Sequence, residues 1–190
     1  MTDRWSRRSV DEMASLAEPP TDSSKALSSW GRFEALYRAS RDDLYAYVAT
    51  LLGDRAAAED VTATAFERAY RKRRTFDRRR GDERAWLFGI ARNAALDELR
   101  RRRRTARLVS EPEEASEVED GVEVALRRTA VRAALRKLPA RDRELVALKF
   151  HAGLSNGELA RVLGVSESAV GTRLYRAIEK LRKACNETKR

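Results

Sequence analysis

Cysteine and histidine are almost absent from this chain, which has one of each, Cys185 and His151, in 190 residues. A single thiol cannot form a disulfide within the chain, and one thiol with one imidazole falls short of an ordinary zinc site. Long apolar segments are also missing: the longest sustained run covers the seven residues 85–91, whereas a transmembrane helix needs about 20. The basic residues near the N terminus are not followed by an apolar stretch, so no export signal is predicted. These absences predict a cytoplasmic protein without a disulfide framework, a metal site or a cofactor.

Charge is abundant and unbalanced. The chain has 40 Lys and Arg against 30 Asp and Glu, a formal net charge of +10. An excess of this size favours a polyanionic partner. Apolar residues make up 42% of the sequence, which is enough for helical cores but not for a large interior. The length fits one ordinary domain or two small ones. The changes of composition between the helical segments of the chain favour two.

The first part of the chain is predicted to be a disordered tail followed by a helical domain. Residues 1–29 contain seven serines and the Pro19-Pro20 pair, a composition typical of a mobile segment. Apolar residues then recur at helical spacing from Phe33 to the Gly53-Asp54 pair, from 56 to about 74, and from Glu83 to about Leu99. No strand-like alternation occurs. Residues 30–104 are therefore predicted to form a domain of three packed amphipathic helices.

A reversal of charge marks the middle of the chain. Residues 100–107 include six arginines, and residues 110–125 then include seven acidic residues and no basic ones. An acidic stretch with few apolar residues is typical of a linker, which we place at 105–121. The second helical domain is predicted over 122–185, with a short tail at 186–190. The fold class is therefore all-α, with two small helical domains.

The second domain ends in a pattern that predicts a helix-turn-helix, over residues 154–181, LSNGELARVLGVSESAVGTRLYRAIEKL. Ser155 and Glu158 have capping-box spacing, so a helix should begin at Asn156. Gly164 can take the left-handed conformation that ends this helix. Ser166 or Ser168 can cap a second helix whose apolar stripe would be buried. The stripe consists of Val170, Leu174, Ile178 and Leu181.

In a helix-turn-helix the second helix enters the major groove and its early exposed positions contact base edges. Arginine there can bind guanine or phosphate, and hydroxyl groups can donate or accept at either. The alternative is a plain helical hairpin packed in a bundle. The cap, the turn glycine and the basic outer face together favour DNA binding. The positions predicted to contact the upstream DNA element are Ser168, Gly171, Thr172, Arg173, Tyr175 and Arg176.

The first domain contains a basic loop at residues 75–83, TFDRRRGDE. Opening a DNA duplex costs roughly 1 to 2 kcal/mol per step, so a protein that melts DNA must hold the unpaired strand. A basic loop beside aromatic residues offers phosphate attraction and a stacking surface for a flipped base. A solvated charge run is the alternative for the three arginines, and core packing is preferred for Trp86. The loop residues proposed to bind melted DNA are Phe76, Arg78, Arg79, Arg80 and Asp82.

Two segments of the first domain resemble those of a known family. Residues 84–104, RAWLFGIARNAALDELRRRRR, resemble the helix with which sigma factors recognise the minus-ten element. Residues 58–70, AEDVTATAFERAY, resemble the segment that grips the clamp helices of RNA polymerase. With the domain order and the terminal helix-turn-helix, the resemblance is to the extracytoplasmic-function (ECF) group of sigma-70-family sigma factors, over roughly residues 33–184.

The resemblance implies a factor that binds core RNA polymerase, directs it to promoter DNA and stabilises the melted strands, and that is held inactive by an anti-sigma factor. Asn93 should help to recognise the captured base, since its amide offers both a donor and an acceptor. The arginine run at 100–104 should attract phosphate; a solvated helix end is the alternative. Further minus-ten candidates on the same helix are Arg92, Asp97 and Arg100, and the polymerase-binding candidates are Asp60, Val61, Phe66, Glu67 and Tyr70.

The sequence also departs from the family pattern at four positions. Ala63 and Thr64 stand where the family often has glutamine and glutamate, and Gly157 stands where it has an acidic residue. Gly171 replaces a basic residue that commonly contacts the minus-thirty-five element. These departures predict an altered polymerase interface and an altered promoter preference.

Two other classes of function compete with this one. A helix-turn-helix repressor or activator that binds DNA without polymerase would account for the second domain, but it leaves the basic loop and the polymerase-like segment without a role. An enzyme would need a constellation of reactive groups, and the sequence shows no glycine-rich phosphate loop, metal-ligand cluster or nucleophile paired with a base. The carboxylates are expected on solvated helix faces or in the linker.

Overall fold

The structure, a computed structural model, describes residues 23–77, 79, 81–108 and 131–187. The chain divides into two compact units, residues 1–35 and residues 36–190. Within the described ranges the regular structure is helical, with no strand. Residues 131–137 are helical, and a short 3-10 turn covers Arg73–Thr75. The bounded helices are α1 (Ser23–Leu52), α2 (Arg55–Lys72), α3 (Glu83–Leu108), α4 (Ala140–Phe150), α5 (Asn156–Leu163) and α6 (Glu167–Glu187).

Two predicted boundaries are wrong. Helix α1 begins at Ser23, inside the tail predicted as disordered, because serine, lysine, alanine and leucine allow a helix without an apolar period. Helix α3 continues through the arginine run to Leu108, inside the predicted linker. Arginine is a good helix former, and Glu98 accepts hydrogen bonds from Arg101 and Arg102 one turn further on. The rest of the predicted tail and linker, at 1–22 and 109–130, lies outside the described residues.

Residues 36–108, here called the N-terminal domain, pack three helices around an apolar core. Asp54 caps α2 by accepting a hydrogen bond from the Ala57 N–H at 3.1 Å, and this bond lowers the pKa of the Asp54 carboxyl. Aromatic contacts join the helices: the ring centroids of Tyr47 and Phe88 are 5.6 Å apart. The core includes Leu44, Tyr47, Val48, Val61, Ala65, Phe66, Leu87, Phe88 and Ala91.

Residues 131–187, here called the C-terminal domain, contain α4, α5 and α6. Pro139 is the N-cap of α4, and His151 is its C-cap, with Gly153 in the left-handed region at φ 66°. Proline suits the start of a helix because its missing N–H would have no partner there. The core includes Leu138, Val146, Leu148, Leu159, Val170 and Ala177.

The N-terminal and C-terminal domains are in direct contact within the unit 36–190. Helix α3 packs against α5, and side chains of α1 and α3 bond to α4 and to the turn that follows it. The sequence predicts two domains joined by a linker, but it contains no periodic signal for this contact.

Candidate nucleic-acid interface

Helices α5 and α6 form the predicted helix-turn-helix, and the predicted helix caps and turn glycine are present. Ser155 and Glu158 make the reciprocal capping box, and these hydrogen bonds lower the pKa of Glu158. Gly164 ends α5 with φ 67°, in the left-handed region. Ser166 caps α6: its hydroxyl accepts from the Ala169 N–H at 3.2 Å. Of the two candidate caps, Ser166 therefore takes the role, and Ser168 lies within the first turn of the helix.

The outer face of α6 is polar and exposed. Val170, Leu174 and Ala177 are buried, which turns the opposite side of the helix to solvent. Tyr175 is 70% exposed, so its ring is accessible on this face. The half-buried Gly171 has room for a side chain, because the nearest atom to a Cβ there would be Asn156 Nδ2 at 4.0 Å. The exposed predicted residues are Ser168, Thr172, Arg173, Tyr175 and Arg176.

The basic loop lies immediately before α3. The rings of Phe76 and Trp86 are 5.1 Å apart, so Trp86 is half-buried against the loop rather than fully in the core. Asp82 accepts from the Arg84 N–H at 2.7 Å and caps α3. Arg79 is exposed and donates its backbone N–H to Asp77 at 3.0 Å. The other two loop arginines, Arg78 and Arg80, lie outside the described residues.

The minus-ten candidates on α3 have different environments. Asn93 is exposed. Asp97 lies between Arg100, 3.2 Å away, and Arg68, 3.6 Å away, so it neutralises part of the basic surface. Arg92, in contrast, is only 22% exposed and donates from Nε to Glu144 of the C-terminal domain at 2.7 Å. The α3 face is thus shared between solvent and the other domain.

The arginine run is also less uniform than predicted. Arg101 makes two 2.7 Å hydrogen bonds to Glu98, which lower the pKa of that carboxyl to about 2. Arg102 is 21% exposed and bonds to Glu98 and to Asp54. It therefore ties the end of α3 to the start of α2, whereas Arg103 and Arg104 are exposed. Only part of the run can present free positive charge to phosphate.

Some of the polymerase-binding candidates on α2 are buried, and the others lie at the surface. Val61 and Phe66 are buried, so their predicted contact with a partner is corrected: they pack in the core because they lie on the inward stripe of the helix. Asp60 is exposed, and Glu67 is half-buried and paired with Arg71. Tyr70 lies under the guanidinium of Arg73, 3.7 Å from its ring centroid. Asp60, Glu67 and Tyr70 remain as the surface residues.

Two residues at the domain contact were missed from the sequence. Glu144 is buried, against the expectation that the carboxylates lie on solvated faces. Arg84 bonds to both domains. One signal was present for Glu144: it shares the apolar face of α4 with Leu148, one turn further along, where a charged side chain needs a partner. No local signal pointed to the acceptors of Arg84.

Membrane-spanning helices and metal-binding clusters are both absent from the described residues. None of the helices combines the length and the apolarity needed to cross a membrane. Among the described His, Cys, Asp and Glu side chains, no group of three is placed to hold a metal ion.

Comparison with known proteins gives matches to two family models. Residues 36–105 match sigma-70 region 2, and residues 128–181 match sigma-70 region 4. These ranges contain the α2 and α3 surfaces and the helix-turn-helix, respectively.

Two individual relatives are both ECF RNA polymerase sigma factors. The ECF RNA polymerase sigma factor BldN of Streptomyces coelicolor is 39% identical over 154 residues, which cover 78% of this chain and 58% of BldN. The ECF RNA polymerase sigma factor SigL of Mycobacterium tuberculosis is 34% identical over 161 residues, covering 80% of this chain and 90% of SigL. The chain therefore spans nearly all of SigL and about three fifths of BldN.

A solved structure supports the fold. The sigma factor RpoE of Bartonella quintana, in its co-crystal structure with the anti-sigma factor NepR, superposes with a TM-score of 0.74 at 24% identity. The alignment covers 82% of this chain and 97% of that one.

Proposed function

This chain belongs to the family of ECF RNA polymerase sigma factors, and we propose that it binds core RNA polymerase, directs it to specific promoters and stabilises the melted DNA. The observation that carries the proposal is the pairing of two surfaces in one chain. The exposed basic face of α6 belongs to a capped helix-turn-helix, and the basic loop and α3 lie within the region 2 match. A repressor needs only the first of these surfaces.

Each surface serves a different step of transcription initiation. Asp60, Glu67 and Tyr70 on α2 dock the factor on the clamp helices of polymerase. Arg173 and Arg176 of α6 enter the major groove of the upstream element, where each guanidinium can bind a guanine edge or a phosphate.

The melting step falls to the N-terminal domain. The Phe76–Trp86 ring pair offers an aromatic surface beside the exposed Arg79, and such a surface can stack an unpaired base while the arginine binds its phosphate. Asn93, exposed on α3, lies where the resemblance places a contact to the captured base. Holding the non-template strand in this way stabilises the open duplex.

An inhibitory protein partner and a cytoplasmic location complete the proposed role. RpoE of Bartonella quintana was crystallised with an anti-sigma factor, and we assign this chain an inhibitory partner of the same kind. The family is not an enzyme family in general, and no catalytic step is assigned to the chain, since polymerase itself performs the synthesis. Acting on polymerase and chromosomal DNA, it works in the cytoplasm.

Run-off transcription on fragmented genomic DNA of the host tests the proposal. Core polymerase with this protein should give discrete transcripts that core polymerase alone does not. Asn93→Ala should reduce them because a base contact is lost, while the control Glu179→Ala, a half-buried residue on α6 paired with Arg182, should not. If the protein binds discrete DNA fragments alone and adds no transcripts, it is a repressor or activator that acts without polymerase.

A further inference from the structure

Gly171 is a glycine that the chain itself does not require. It lies in the second turn of α6, where glycine is less favourable than alanine because it loses more conformational freedom on folding. Its backbone is helical and is not in the left-handed region. A Cβ there would meet no atom from elsewhere in the chain closer than 4.0 Å. Neither backbone conformation nor packing demands glycine at this position, so the space beside it is open to a group from outside the chain.

This open space lies on the face of α6 that is assigned to DNA. Ser168 and Tyr175 lie on the same side of the helix as Gly171, three residues before it and four residues after it, and both are exposed. The hydroxyl of Thr172 donates to the Ser168 carbonyl at 3.2 Å, so its proton is directed back to its own helix. At Gly171 itself α6 offers no side chain to a base.

The group nearest to this space comes from the other helix of the motif. The amide nitrogen of Asn156, Nδ2, is 4.0 Å from the place that a Cβ of Gly171 would take. Asn156 is the first residue of α5 and is half-buried. The capping box of α5 uses the side chains of Ser155 and Glu158, so the Asn156 amide has no capping role. A long side chain at position 171 would contact this amide and cover it, whereas glycine leaves it uncovered on that side.

Two carboxylates favour a base edge over a phosphate as the partner of the Asn156 amide. Glu158 Oε2 accepts from the Ser155 N–H at 2.8 Å and from the Ser155 hydroxyl at 2.7 Å. The Glu167 carboxylate lies beside Gly157, with Oε2 3.5 Å from the place that its Cβ would take. Negative charges next to both chain neighbours of Asn156 repel a phosphate. The uncharged edge of a base is not repelled in this way.

We propose that Asn156 is a specificity-determining residue that recognises an adenine of the upstream promoter element through the space that Gly171 leaves open. The amide oxygen accepts from adenine N6, and the amide nitrogen donates to adenine N7. The exposed ring of Tyr175, one turn further along α6, offers an apolar contact to the methyl group of the paired thymine. The inference rests on the proposed function for the identity of the DNA site, but recognition by Asn156 does not itself need polymerase.

Base preference at single positions tests the role of Asn156. The upstream element of a promoter found by the run-off assay is randomised in templates that carry a barcode in their transcribed part, and the full chain transcribes them with core polymerase. The unsubstituted chain should prefer adenine at one position. Asn156→Ala should reduce that preference by at least about fivefold and leave the other positions as they were. The control Glu179→Ala should change no preference.

Two results of this comparison overturn the proposal. A uniform fall in yield with Asn156→Ala, at every sequence, would assign the residue to a phosphate. Unchanged preferences at all positions would show that Asn156 makes no contact with a base.

Further variants guard against a folding defect. Asn156→Asp keeps the size of the side chain and suits the start of a helix. Because a carboxylate accepts from cytosine N4 and cannot donate to adenine N7, it should move the preference at that position from adenine to cytosine. Gly171→Arg covers the amide and supplies a guanidinium, so it should change the preferred base to guanine.

Gly171→Val fills the open space without adding a hydrogen-bonding group. It should reduce the adenine preference as Asn156→Ala does, and the two substitutions together should lose no more than either alone, because they remove the same contact. An adenine preference that survives both Gly171→Arg and Gly171→Val overturns the proposal.

The same library separates the role of Asn156 from the proposed function. If the chain adds no transcripts but retains library DNA without polymerase, the retained sequences are compared instead. A loss of the adenine preference with Asn156→Ala then supports the role of Asn156 and rejects the sigma-factor function. If transcripts depend on the chain and Asn156→Ala changes no preference, the function stands and the role of Asn156 fails. If the chain neither adds transcripts nor retains DNA, both fail.

Discussion

The two surfaces assigned to DNA differ in what sets their exposure. On α6, Arg173, Tyr175 and Arg176 are exposed because the apolar residues of the same helix face the other way. On α3, Arg92 is covered by Glu144, which lies 52 residues further along the chain. The exposure of the α6 side chains is thus set by the apolar stripe of the same helix. The exposure of Arg92 on α3 depends on a residue of the other domain, Glu144.

The largest expected effect comes from breaking the contact at Arg84. Arg84→Ala removes a charged donor with five acceptors, and it should lower the free energy of unfolding by about 2 to 4 kcal/mol. Urea denaturation measures the change. Arg104→Ala, which removes an exposed arginine from the same helix, should change stability by less than about 0.5 kcal/mol. Equal effects for the two variants would show that the contact contributes nothing to stability.

The α6 surface should lose function without losing stability. Arg173→Ala and Arg176→Ala should each weaken promoter use by about 1 to 3 kcal/mol if they bind guanine, measured as transcript yield at limiting DNA. Their unfolding curves should match that of the unsubstituted chain. Arg182→Ala, on the same helix and paired with Glu179, is the control. A loss of equal size in the control would assign the effect to general charge instead of specific contact.

Two glycines of the helix-turn-helix should respond with opposite signs. Gly157→Ala should raise the free energy of unfolding by about 0.5 to 1 kcal/mol, since it restricts the unfolded chain and its Cβ would meet Glu167 Oε2 at an ordinary 3.5 Å. Gly164→Ala should lower it by about 1 to 2 kcal/mol, because φ at Gly164 is 67°. Thermal denaturation compares them. A stabilising Gly164→Ala would contradict the left-handed cap.

The smallest effect is a pH dependence at the domain contact. Burial lowers the pKa of His151 below 6.5, and the Asp43 carboxylate opposes that shift only in part. The unfolded chain therefore binds a proton more readily than the folded chain as the pH falls below about 6.5. Stability should be fully present above that pH and decline as the pH falls towards the lower folded pKa. His151→Gln should remove this slope below about pH 6.5, as measured by urea denaturation at each pH.

Much of the fold was predictable because its signals are short in range. The capping box at Ser155 and the positive φ of Gly164 each involve residues within one turn. The boundaries that failed lack such signals. Ser23 begins a helix without an apolar period, and α3 passes through the arginine run because Glu98 offsets its charge.

The candidate surfaces were only partly predictable for a related reason. An amphipathic pattern separates inward from outward positions, but Val61 and Phe66 were selected by resemblance and lie inward. The exposed basic face of α6, by contrast, follows from the stripe of Val170 and Leu174 on the same helix. In both cases the position of the side chain on its helix decided whether it is buried or exposed.

Local chemistry dictates the helical class, the helix-turn-helix and the basic outer face, since caps, glycine φ angles and side-chain periods act over a few residues. The tertiary arrangement alone decides that Arg84 bonds to carbonyls of the C-terminal domain and that Glu144 is buried against Arg92. These partners are separated by 52 to 68 residues in the chain. Their meeting depends on the balance between desolvation and pairing of charges across a domain contact, which no local pattern encodes.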